Sequence, residues 1–108
     1  MVKFTYDGKE YNLGFNRNTA VALQRQGFDT DKIGSQSLIM IPMLVRASFK
    51  MNHSTVKDSK IDEIYGKISK KDEFLKALIE SYADTCNTLF ESNTESEEGS
   101  DFVEWSND

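Results

Sequence analysis

Apolar residues in this chain fall into five blocks separated by polar links, and the spacing inside each block predicts an element. The first block alternates. Val2 and Phe4 precede Asp7-Gly8, and Tyr11 and Leu13 follow it. Asp7-Gly8 suits a type I′ turn, because both residues tolerate positive φ. A two-residue loop pairs positions whose numbers sum to 15, which sets Phe4 opposite Tyr11 and Val2 opposite Leu13 on one face. Lys3 then faces Asn12, and Thr5 faces Glu10, on the other. A one-residue slip would send the apolar set to the wrong face, so turn chemistry and pattern specify the same register. Two strands are marginal alone, and the hairpin must therefore lie on helices.

The second block predicts a short helix from about Arg17 to Gln26, capped by Asn16 or Asn18. Gly27 supplies the left-handed residue of a Schellman-type stop, which folds Phe28 back onto Leu23. Asp29 to Ser37 reads as a loop with one turn around Asp31 to Ile33.

The third block differs in kind. Leu38 to Val45 carries eight residues without a polar side chain, so a helix built from it is apolar on every side. Such a helix must be covered, either as the centre of the core or as a seam between subunits. Pro42 is best tolerated in a first helical turn, which places regular hydrogen bonding from about Ile39 to Ile41 onward, with the helix running to about Asn52. Eight residues fall far short of the roughly 18 to 20 that a bilayer span requires.

Val56, Ile61, Ile64, Tyr65 and Ile68 share one helical face and predict a third helix capped by Asp58 or Ser59. Gly66 inside it costs about 1 kcal/mol relative to Ala, and either allows close helix contact or lies on the surface. The fourth helix starts near Lys71 or Asp72 and carries Phe74, Leu75, Leu78, Ile79, Tyr82, Ala83, Cys86, Leu89 and Phe90 at 3,4 spacing. Asp72 and Glu73 fall in its first turn, where the helix dipole favours carboxylates.

From Glu91 onward the pattern stops, and charge takes over. Seven of the 18 acids lie in residues 91–108 with no base among them, which leaves 11 acids against 13 bases in residues 1–90. The body is near neutral and the tail acidic, the reverse of a nucleic-acid binder. This tail is too poor in apolar residues to offset its ordering entropy and is expected to be disordered. Near its end stand Phe102, Val103 and Trp105, the last being the only tryptophan. Two readings of the segment stay open: a solvated tail, or a tethered peptide whose aromatic anchors bind a groove or a sheet edge.

Catalytic groups are sparse. His53 and Cys86 are each the sole residue of their type. His53 falls just past a helix C-terminus, where an imidazolium is favoured by the dipole. Cys86 lies on the apolar face of the fourth helix, where a free thiol behaves as a small hydrophobe. Zinc needs four ligands, and only these two residues are of the nitrogen and sulfur kind. Asp29-Thr30-Asp31-Lys32-Ile33-Gly34 has acids at positions one and three of a calcium loop, but Ile33 and Met40 stand where ligands five and twelve belong. No metal and no cofactor is expected. A lone cysteine excludes an internal disulfide, the N-terminus lacks the apolar region of a signal peptide, and a cytoplasmic location follows.

The run Phe4-Thr5-Tyr6-Asp7-Gly8-Lys9-Glu10-Tyr11-Asn12-Leu13-Gly14-Phe15-Asn16-Arg17-Asn18-Thr19 resembles the opening of small tail assembly chaperones from long-tailed phages and prophages of Gram-positive bacteria. Ile41-Pro42-Met43-Leu44, Ile61-Asp62-Glu63-Ile64-Tyr65 and a Trp near the C-terminus resemble later landmarks in the same order. The resemblance implies a mainly helical, self-associating protein without enzymatic activity. Such a protein coats and solubilises the tape measure protein, recruits tail tube subunits in the host bacterial cytoplasm, and is absent from the mature virion.

The expected architecture is thus α+β and mainly helical. An N-terminal β-hairpin packs on about four α-helices over residues 1–90, followed by the acidic tail of residues 91–108. Leu38, Met40 and Met43 are the candidates for self-association or partner contact, methionine being suited to adaptable surfaces. Phe102, Val103 and Trp105 are the candidates in the tail. The alternative function is a small acidic adaptor or inhibitor of a host protein acting through that tail. A hydrolase using Cys86 and His53 is a third class, which would require the two side chains to meet.

Overall fold

The computed structural model describes residues 2–88. Strand β1 spans Val2–Tyr6 and β2 spans Lys9–Leu13, joined by Asp7 and Gly8, whose φ angles of 51° and 78° are both positive as a type I′ turn requires. Val2 pairs with Leu13, Lys3 with Asn12, Phe4 with Tyr11 and Thr5 with Glu10, the predicted register. The Phe4 and Tyr11 rings stack at 5.3 Å on the face turned toward the helices.

Helix α1 spans Arg17–Arg25. Asn16 is its cap. The Asn16 side chain accepts from the Thr19 amide at 2.8 Å, and the Thr19 hydroxyl accepts from the Asn16 amide at 2.9 Å. At the other end Gly27 adopts φ 98°, its amide donates to the Gln24 carbonyl, and the Phe28 amide reaches the Leu23 carbonyl. This is the full Schellman pattern, and it brings Phe28 and Leu23 into one buried cluster. Thr30–Lys32 then form a single 3₁₀ turn that Asp29 caps by accepting from the Asp31 amide at 2.9 Å.

Helix α2 spans Ser37–Lys50 and touches α1, the 3₁₀ turn, β2, and the two helices that follow. Its start lies earlier than the proline reading predicted, and Pro42 sits inside it. The carbonyl that loses its amide partner to Pro42 is that of Leu38, a residue 92% exposed. At a site so open to water the missing bond costs little. From Met40 to Phe49 the expectation of a covered helix holds. Met40, Leu44, Val45, Ala47, Ser48 and Phe49 are buried.

Helix α3 spans Asp58–Lys67 and α4 spans Lys71–Asn87. Neither Asp58 nor Ser59 caps α3. The cap position is Lys57, which has no side-chain bond, and Asp58 lies in the first turn within 3.5 Å of Lys50. A carboxylate there still favours the positive end of the helix. A side chain added at Gly66 would meet nothing within 4 Å, which settles that residue as a surface position. Ile61 and Ile64 from α3, and Leu78 and Tyr82 from α4, complete one core with Leu13, Leu23, Leu44 and Phe49. Leu89, Phe90 and the predicted disordered tail lie outside the described residues.

Gly27 and Gly66 give opposite expectations. Gly27→Ala forces a side chain into positive φ and is expected to destabilise the protein by about 1 kcal/mol or more. Gly66→Ala, with open space around it, is expected to stabilise by about 0.5 kcal/mol. Urea unfolding midpoints of the two variants check both signs.

Candidate interaction surface

Among the described residues, the large hydrophobics left exposed are Val21, Leu38 and Ile39. Two of the three are adjacent, at the head of the helix whose other end is most deeply buried. The local reason is the way α2 begins. Gln36 stands at the cap without a side-chain bond, and its carbonyl accepts from the amides of Ile39 and Met40 at 3.0 and 2.9 Å. The first turn is therefore closed by backbone alone, and the exposed polar residues Ser35, Gln36 and Ser37 precede Leu38. Leu38 and Ile39 border a shallow hollow of ≈ 290 Å³ together with those three residues.

Helical geometry then sorts the predicted set. Leu38 is almost fully exposed, Met43 is half-buried, and Met40 is 4% exposed within the core. Met40 therefore leaves the set of surface candidates, because the face it shares with Leu44 is the one turned onto the protein interior. Ile39, 57% exposed, takes its place. An unbroken apolar run has no period from which an exposed face can be read, which is why Ile39 was missed. Transferring a leucine or isoleucine side chain from water to an apolar contact releases about 1.5–3 kcal/mol, and here that gain is left unused by the fold.

Met43 lies on a second concavity of ≈ 180 Å³ between α1 and α2, lined also by Ala22, Leu23, Gln26 and Ala47. Its rim is charged. The Arg46 guanidinium donates to both Asp62 carboxylate oxygens, at 3.0 and 2.6 Å, and holds that carboxyl below the usual range. Both side chains are open to solvent, so this bridge contributes at most about 1 kcal/mol.

The two reactive side chains occupy different places. His53 packs on the rings of Tyr11 and Phe49, at 5.0 and 6.4 Å, and its Nε2 accepts from the Asn12 amide at 3.0 Å. Cys86 is half-buried, with its Sγ 3.7 Å from Gln24 Nε2, on a hollow shared with Phe28 and Tyr82. The structure does not bring them together.

The expected imidazolium is reversed. Burial between two rings, followed by the charge of Lys9, pushes the His53 pKa down, and an Nε2 that accepts a hydrogen bond must be unprotonated. The helix end that would favour a cation is already served by the His53 amide, which donates to the Phe49 carbonyl at 2.7 Å. Phe102, Val103 and Trp105 lie outside the described residues. No helix among those described is long and apolar enough to cross a membrane.

A family model described as a domain of unknown function, DUF5055, matches residues 1–105. No match is found among curated proteins or solved structures.

The His53 contact makes stability pH-dependent with a definite sign. A histidine whose folded pKa lies below its unfolded value of about 6.5 takes up its proton more readily when unfolded. Its contribution is complete above that value and is lost as pH falls through the lower, folded one. The thermal midpoint is expected to hold above about pH 7 and to drop as pH falls below the unfolded value and through the lower, folded one. His53→Gln, which can still accept from Asn12 but does not titrate, should flatten that step while keeping stability near neutrality. Thermal melts at several pH values check it.

Proposed function

The chain belongs to the DUF5055 family, a domain of unknown function, and from that starting point we propose that it is a phage tail assembly chaperone. In this reading it binds the tape measure protein while the tail is built, keeps it soluble, and recruits tail tube subunits before leaving. It works in the host bacterial cytoplasm and has no enzymatic step. The resemblance of Phe4 to Thr19, Ile41 to Leu44 and Ile61 to Tyr65 to such chaperones supplies the identity of the partner.

The observation that carries the reading is the open head of α2, where Leu38 and Ile39 stand exposed beside a polar loop. A protein that must hold a long helical partner and later release it needs apolar contacts that its own folding leaves free, in several copies. One small patch per protomer gives weak contact; repeated along a long partner, it gives strong but reversible coverage. Self-association through the folded body supplies the repetition.

The test uses Leu38 and Ile39 together. Aspartate at these positions falls in the first turn of α2, where the helix dipole favours a negative charge, so Leu38→Asp with Ile39→Asp should leave the unfolding midpoint unchanged or slightly higher. Losing two apolar anchors should weaken capture of a co-expressed tape measure segment by at least about ten-fold. Mass in solution across protein concentrations gives the second readout, with growth in size expected for the native chain. A double variant that solubilises the segment as well as the native chain would remove α2 from the mechanism. A native protein that stays monomeric and never co-purifies with the segment would remove the chaperone reading.

A further inference from the structure

The hairpin is asymmetric. In a two-residue hairpin the pairs alternate between those that exchange backbone bonds and those whose N–H and C=O groups point away from the partner strand. Asn12 belongs to the second kind, since its amide donates to His53 Nε2 and its carbonyl accepts from the Asn52 side chain. Its cross-strand neighbour Lys3, and Thr5 two residues on, therefore aim their backbone groups outward from β1. Among the described residues nothing bonds them. The side chains tell the same story. Tyr11 and Leu13 on β2 are buried, whereas Val2, Phe4 and Tyr6 on β1 are only half-covered. An open row of backbone groups beside a half-covered apolar row is the template to which an extended strand adds.

We propose that the occupant of this edge is the chain's own segment Phe102-Val103-Glu104-Trp105, added antiparallel to β1 with Lys3 opposite Glu104. This assignment does not rest on the chaperone reading. In that register Trp105 faces Val2, Val103 faces Phe4 and Phe102 faces Thr5, so three pairs join an aromatic to a β-branched residue and the fourth joins opposite charges. Shifting by one residue either way turns Glu104 onto the helix side or sets Lys3 against an apolar side chain. The pattern therefore selects its own alignment.

Length and size both favour a tethered strand over a separate chain. Helix α4 starts beside β1, where the Phe74 and Phe4 rings are 6.3 Å apart, and runs about 20 Å from there to its end. Residues 89–101 span up to about 45 Å when extended, which is ample for the return. A four-residue strand covers far less than the roughly 1,000 Å² that a stable contact between separate chains needs. Tethering replaces that area with a millimolar effective concentration. The family match also runs to Trp105, past the end of α4.

Amide hydrogen exchange on the full chain tests the assignment, with an internal control. The Glu10 amide points out from the opposite edge, and nothing described bonds it. The Lys3 and Thr5 amides should exchange at least about ten-fold more slowly than that of Glu10, at every protein concentration. Glu104→Pro, which removes the bonding amide and the charge, should erase the difference and shift the Trp105 emission toward that of a solvent-exposed indole. Lys3→Glu should lower the protection, and adding Glu104→Lys should restore it, which separates pairing from any general loss of fold. Equal exchange at Lys3, Thr5 and Glu10 overturns the proposal. So does protection that appears only as concentration rises, because the strand then comes from another molecule.

Discussion

The join between the last turn of α2 and the outer side of β2 is the contact on which the rest of the structure depends. A helix ends with four carbonyls that lack intrahelical partners, and a strand edge carries its own unpaired row. Here each satisfies the other. The Ser48 carbonyl accepts from the Gly14 amide at 3.1 Å, the Asn12 amide is taken by His53, and the Asn12 carbonyl by Asn52 at 3.2 Å. Ser48 itself is fully buried, with its hydroxyl donating to the Val45 carbonyl, and among the described residues no buried side-chain polar atom lacks a partner. A hairpin too small to stand alone becomes the lid of a helical core, and Leu13 and Phe49 are sealed beneath it.

Around that join the helices are held by shape more than by charge. Helix α3 carries several ion pairs: Arg46 with Asp62, Lys50 with Asp58, and Lys60 with Glu63 and Asp7. All are open to solvent and screened, and pairs of that kind contribute little to stability. Ile61 and Ile64, at 0% and 1% exposure, are what bind α3 to the core. The Tyr6 hydroxyl, donating to Glu63 at 2.8 Å and lowering that carboxyl's pKa, orients the hairpin tip against α3.

What could be read in advance divides by the range of the cause. The hairpin register, the Asn16 cap and the Gly27 stop were legible, because each is set by residues within about a dozen positions of one another. Where the cause lies further away, the residues did not announce it. The charge state of His53 depends on Asn12, 41 positions back, and local reasoning from the helix dipole gave the wrong sign. Capping of α3 was read from residue type, yet its start is set by the turn after His53, where the Val56 amide donates to the His53 carbonyl and Lys57 takes the cap position. The left-handed Lys70 before α4 carries no sequence signal at all. In the candidate surface the uniformity of the run Leu38 to Val45 concealed which members face outward.

That uniformity has a structural consequence. A helix with one polar face has its orientation fixed along its whole length, whereas α2 is held to the core from Met40 onward and joined to the hairpin through Ser48 and the groups beyond Phe49. Its first three residues, Ser37 to Ile39, are exposed, and the turn they belong to is closed by the Gln36 carbonyl. Pro42 reinforces the division, since it removes the bond that would tie the Leu38 carbonyl to the next turn. The two ends of one helix therefore face separate requirements. Substitutions at the buried Leu44, Val45 and Phe49 act on folding, whereas Leu38 and Ile39 contribute little to it. A single stretch of apolar sequence thus both anchors the fold, from Met40 onward, and leaves Leu38 and Ile39 open to solvent.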